Sequence, residues 1–68
     1  MCDAGDRHRK AASTHEAAAG RHDAAAIYWT GRGDIARAGL ETRSAALQRE
    51  GAQLERERAE LDEAAERL

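Results

Sequence analysis

The large apolar side chains of the second half recur at a fixed step. Leu40, Leu47, Leu54, Leu61 and Leu68 stand seven residues apart. His8, His15, His22 and Trp29 keep the same step in the first half. Seven residues return to nearly the same side of an α-helix, so each series forms a stripe. Between them lies Gly31-Arg32-Gly33-Asp34, made mostly of residues that favour turns. The pattern predicts an all-α fold: an antiparallel, coiled-coil-like two-helix hairpin completed by oligomerisation. Helix 1 is expected over about 6–30, the turn over 31–34 and helix 2 over about 35–67, following a flexible N-terminus at 1–5.

Local signals refine these boundaries. Asp3 or Asp6 can cap an early start of helix 1, whereas Ser13 with Glu16 has the spacing of a capping box and offers a later one. The heptad beginning at His8 favours the early start. Gly31 or Gly33 can take the left-handed conformation that closes helix 1. Asp34 is a good N-cap for helix 2. Gly20, Gly39 and Gly51 should weaken the helices locally. Glu63 and Arg67 have the spacing of a favourable pair.

Folding the chain about the turn sets His22 against Leu40, His15 against Leu47 and His8 against Leu54. Ala25 with Arg37, Ala18 with Ser44 and Ala11 with Gly51 fill the layers between. Large layers then alternate with small ones, as interdigitated packing requires. Helix 2 outlasts helix 1 in this arrangement, so Leu61, Ala65 and Leu68 are left without a partner inside the hairpin. A parallel leucine zipper is disfavoured, because it would set Glu50 against Glu55 and Glu57 against Asp62, like charges in both cases.

Composition narrows the setting. The chain has 68 residues, which allows one small domain, and only nine large apolar side chains: Ile27, Tyr28, Trp29, Ile35 and the leucines. So few cannot close much of a core, and self-association or a partner is expected. Alanine is abundant and proline absent, which favours helix over sheet. A net charge of −2 points to neither nucleic acid nor membrane, and the basic cluster Arg7-His8-Arg9-Lys10 is too short for a DNA-reading helix. Cys2 is the only cysteine, so no disulfide framework exists. The start lacks the apolar core of a signal peptide, and a cytoplasmic location is expected.

Chemistry is sparse. The three histidines are spaced about 10.5 Å along a helix, too far to share one ion, and Ala12, Ala19 and Ala26 stand where a second ligand would be needed. No metal or cofactor is expected. Ser13, Thr14 and His15 are adjacent on a helix and diverge, so no catalytic residue is assigned and an enzyme is not expected. The acidic residues of helix 2 alternate with arginines and read as a solvated face. Arg32-Gly33-Asp34 spells the integrin-binding tripeptide, but capping already accounts for its glycine and aspartate. If the histidines are buried against leucines, desolvation disfavours their charged form, and packing should loosen near pH 5.

Trp29, Gly33-Asp34-Ile35, Ala38 and Ala45 together resemble the middle of a tetratricopeptide-type helix pair. That family has an aromatic residue late in its first helix, a Gly-Asp-aromatic turn, and two alanines seven apart on its second. The resemblance implies a protein-binding hairpin with a different inward face, in which Ala38, Ala45, Ala52 and Ala59 meet helix 1 and the leucines stay free. The His-x-x-Ala-Ala heptads followed by Gly-Asp are also similar to short helical-hairpin proteins of actinobacteria, a likeness that implies no activity.

Leucine burial contributes far more than alanine burial, so the leucines are expected inward, with Trp29 and Ile35 packing near the turn. The function expected is protein–protein interaction, through self-association or a docked partner, with Leu54, Leu61, Ala65 and Leu68 as the binding surface. The alternative is a small pH- or metal-responsive sensor built on His8, His15 and His22.

Overall fold

The computed structural model describes residues 3–68. Met1 and Cys2 lie outside them, so the expectations for Cys2 and for the first two residues of the N-terminus fall outside the described chain. Two helices, α1 (Asp6–Gly31) and α2 (Ile35–Glu66), pack side by side as an antiparallel hairpin. The Cα envelope is a slab of 54 × 18 × 8 Å.

The turn is built by two overlapping caps. Gly33 takes a φ of 80°, open to glycine at no steric cost. Its N–H donates to the Thr30 carbonyl at 3.0 Å, and the Asp34 N–H donates to the Trp29 carbonyl at 2.9 Å. This bonding pair is the Schellman closure of a helix C-terminus. Asp34 then starts α2, its Oδ1 accepting from the Arg37 backbone N–H at 3.0 Å, as an N-cap should. One aspartate thus ends the closing motif of α1 and opens α2. The aspartate of the Arg32-Gly33-Asp34 tripeptide is engaged in this cap.

At its other end α1 begins at Asp6, the early start. Gly5 is the N-cap at a φ of 89°, without a side-chain cap. The Asp6 Oδ2 instead accepts from the Asp3 backbone N–H at 3.2 Å. The Ser13–Glu16 box is not used, since both residues lie well inside α1.

The inward face differs from the leucine face expected. The buried positions are Ala12 and Ala19 on α1 and Ala38, Ala45, Ala52 and Ala59 on α2, with Gly5 buried at the end of the same row. Ala45 is 1% exposed whereas Leu47 is 67% exposed, and Leu40, Leu54, Leu61 and Leu68 are exposed as well. The pairing of His22, His15 and His8 with Leu40, Leu47 and Leu54 is therefore wrong by one residue on α2. Each ring faces the following residue: Glu41, Gln48 or Glu55.

One residue is about 100° of helix, enough to turn the leucines out. A ring nitrogen set against leucine would lack a partner, which costs about 1–3 kcal/mol when buried. Against Glu or Gln it is bonded. Alanine at every seventh position also lets the backbones draw close. A Cβ added at Gly5 would come 3.0 Å from the Ala59 carbonyl oxygen. The seam thus holds hydrogen-bonded rings and closely approached helices where leucine burial was expected.

Near the turn, Ile35 is exposed rather than packed. Trp29 is half-buried, with the Arg37 guanidinium 4.8 Å from its ring centre and the Tyr28 ring roughly perpendicular to it, centroids 5.0 Å apart. Among the described residues no helix is long and apolar enough to cross a membrane.

Candidate interaction surface

Three parallel tracks run the length of the hairpin. The first is the seam, where alanine layers alternate with polar ones. His8 Nδ1 donates to Glu55 Oε2 at 2.6 Å, His15 Nδ1 to Gln48 Oε1 at 2.7 Å and His22 Nδ1 to Glu41 Oε2 at 2.7 Å. Each step of seven down α1 is matched by seven up α2, so the bonds form a ladder. The His8 Nε2 also lies 3.5 Å from Asp62. The ring of His15 fills the space left by Gly51, where an added Cβ would stand 3.2 Å from it. Gly51 is a seat for the imidazole rather than a simple weak point.

The second track is charged. Arg9 bridges Glu63 at 2.7 and 2.9 Å, Glu16 pairs with Arg56, and Asp23 pairs with Arg49. These too step by seven on both helices. The expected Glu63–Arg67 pair gives way to the cross-helix one with Arg9. The Arg49 hydrogen bond, then its charge, holds the Asp23 carboxyl below its ordinary value. Glu63 is lowered in the same way, first by the Arg9 hydrogen bond and then by the charges of Arg9 and Arg67. Glu55 is lowered by the His8 hydrogen bond and next by that of Arg58, against the opposing effect of burial.

The third track lies on the opposite broad face and is apolar. Its floor is a row of small, half-buried residues, Ala11, Ala18 and Ala25 on α1 and Ser44 and Gly51 on α2, interrupted on α2 by the exposed Arg37 and Arg58. Its ridge is the exposed leucine stripe, two residues beyond each seam alanine of α2. Two residues turn the helix by about 200°, which sets the leucines along the outer edge of α2, about 60° round from Ser44 and Gly51 and away from the ion pairs.

The expected partner-binding residues Leu54, Leu61, Ala65 and Leu68 are all exposed. The stripe does not begin at the overhanging end of α2, as expected, but extends back through Leu47 and Leu40. Leu54 is exposed because it never packs on His8.

The premise of histidines buried against leucine is also corrected. The His8 and His22 side chains are 31% and 34% exposed and bonded to carboxylates. Thr14 donates its hydroxyl to the Lys10 carbonyl and His15 reaches Gln48, so Ser13, Thr14 and His15 do not converge. Among the described residues no three His, Cys, Asp or Glu side chains group as a metal site.

The seam partners Glu41, Gln48 and Glu55 and the charged flank were missed by sequence reasoning. Their signal was present: both sets step by seven, as do Arg9, Glu16 and Asp23. Reading the charges of α2 as a uniformly solvated face hid it; the Glu55 side chain is only 13% exposed. No protein-family model, curated protein or solved structure matches the chain.

Proposed function

We propose that the chain is a protein-interaction module that binds through the leucine ridge of α2 and the alanine floor beside it. One observation carries this reading: the leucines at heptad spacing are exposed together on one face, while the opposite flank is laced with ion pairs. Contiguous exposed apolar surface rimmed by polar residues is the usual mark of a docking site. Leu47, Leu54 and Leu61 are its centre, with Ala65 and Leu68 at one end. The alanine-inward seam is the arrangement that the tetratricopeptide resemblance implies, and it adds support to a binding role.

The test is the double substitution Leu47→Ser/Leu54→Ser. Both side chains point away from the seam, so helicity should be retained. Wild-type chain is expected to associate, with itself or with a fluorescent amphipathic helix carrying a leucine face, and the variant with neither. Wild-type chain that remains monomeric and binds no helix would overturn the reading. So would a variant that associates as well as the wild type.

A second reading, a responsive sensor, rests on the ladder. His8 faces Glu55 and Asp62, with Arg58 beside Glu55; His15 faces Gln48; His22 faces Glu41 and neighbours Asp23. A change in ring state acts directly on cross-helix bonds. Removal of the rings in a His8→Asn/His15→Asn/His22→Asn variant should then lower the melting temperature. A variant as stable as the wild type removes this reading, and zinc titration followed by mass measurement tests its metal form.

A further inference from the structure

We infer that the occupant of the leucine face is a second copy of this chain, in a four-helix bundle whose two turns lie at the same end. The inference rests on the binding role proposed above and names its partner.

The same face carries both halves of a complementary surface, a ridge of leucines on α2 and a row of small residues on α1. The seam bonds His22–Glu41, His15–Gln48 and His8–Glu55 fix the levels of the two helices. On that scale Leu40, Leu47 and Leu54 stand within about 3 Å of Ala25, Ala18 and Ala11 along the axis. A two-fold axis parallel to the helices lays each α2 over the α1 of the other copy. Leu40, Leu47 and Leu54 then each meet an alanine of the second chain, and all neighbouring helices run antiparallel.

The other face-to-face pairing, with turns at opposite ends, stacks leucine on leucine and alanine on alanine. It leaves a wide gap over one half and a crowded contact over the other, which interdigitated packing disfavours. In the favoured pairing Glu57 comes level with Arg7 of the second copy and Arg43 with Arg21. One attraction and one repulsion nearly cancel, and Arg37 and Arg58 on the same face are paired within the chain with Asp34 and Glu55, so the apolar surfaces decide.

Size agrees. A face of 54 by 18 Å is comparable with the roughly 800 Å² per partner of a stable interface. The hairpin alone completely buries no large side chain among its described residues. Covering the ridge would give it the leucine core that its seam lacks.

Sedimentation equilibrium of the full chain from micromolar to millimolar concentration should give twice the chain mass. In a Cys2→Ser background, Leu47→Cys chain mixed with Ala18→Cys chain should oxidise to covalent heterodimers. Leu47→Cys chain alone should cross-link far less. Preferential Leu47→Cys self-linking would overturn the arrangement. A monomer at every concentration would overturn the second copy as partner. The binding role would survive only if that monomer still captured the fluorescent helix, so the two failures are distinguishable.

Discussion

Gly51 and Gly20 occupy similar helical surroundings yet differ in what a methyl group would meet. Nothing lies within 4 Å of a Cβ added at Gly20. Gly20→Ala should therefore return most of the roughly 1 kcal/mol that glycine costs in a helix. At Gly51 the added carbon would press on the His15 ring, so Gly51→Ala should gain clearly less or destabilise. Denaturant midpoints of the two variants check the contrast, and equal gains would contradict the seating of His15. Asp34→Ala should cost about 1 kcal/mol by the same measurement, since the cap of α2 is lost.

Acid sensitivity also belongs to single residues. Asp23, Glu55 and Glu63 are held below their ordinary values. A carboxylate whose folded value is depressed adds stability above its unfolded value, and this is lost as pH falls through the folded one. Thermal midpoints should therefore drop as pH falls below about 4. Glu63→Gln should shallow that slope by removing one contributor. A midpoint unchanged down to pH 2 would contradict the assignment.

At the scale of the element, the helices tolerate their glycines because neither depends on propensity alone. Three cross-helix ion pairs and three histidine bonds tie α1 to α2 along its length. The alanine row sets the spacing. Ala45→Leu should destabilise the hairpin by about 1–3 kcal/mol through overpacking, a reversal of the usual rule that a larger apolar side chain strengthens a helical seam. Chemical denaturation decides this, and a stabilised Ala45→Leu would mean that the helices have room between them.

The helix pair, the turn and the approximate pairing of α1 with α2 were legible in the sequence, because heptad spacing and the Gly33-Asp34 caps are local signals. The rotation of α2 about its own axis was not. It depends on a competition between leucine burial and hydrogen bonding of the rings of His8, His15 and His22. Area alone favours the leucines and misses the unpaired nitrogens. The expected pairing erred by a single residue on α2, yet that residue separates a leucine core from a leucine surface.

At the scale of the whole molecule, the hairpin is a slab with unlike faces, one closed by ion pairs and one left apolar. Stability and association should then be linked by mass action. The melting temperature is expected to rise with chain concentration in the wild type, and to be independent of it in Leu47→Ser/Leu54→Ser. A concentration-independent wild type would argue against self-association.

The central claim is that alanines face inward and leucines outward within each hairpin. Nuclear Overhauser contacts between methyl groups read this directly. The Ala45 methyl should show a contact to the Ala19 methyl, with the Leu47 methyls showing none to Ala19 of their own chain in isotope-filtered spectra. Intrachain Leu47–Ala19 contacts, with Ala45 in solvent, would contradict the account.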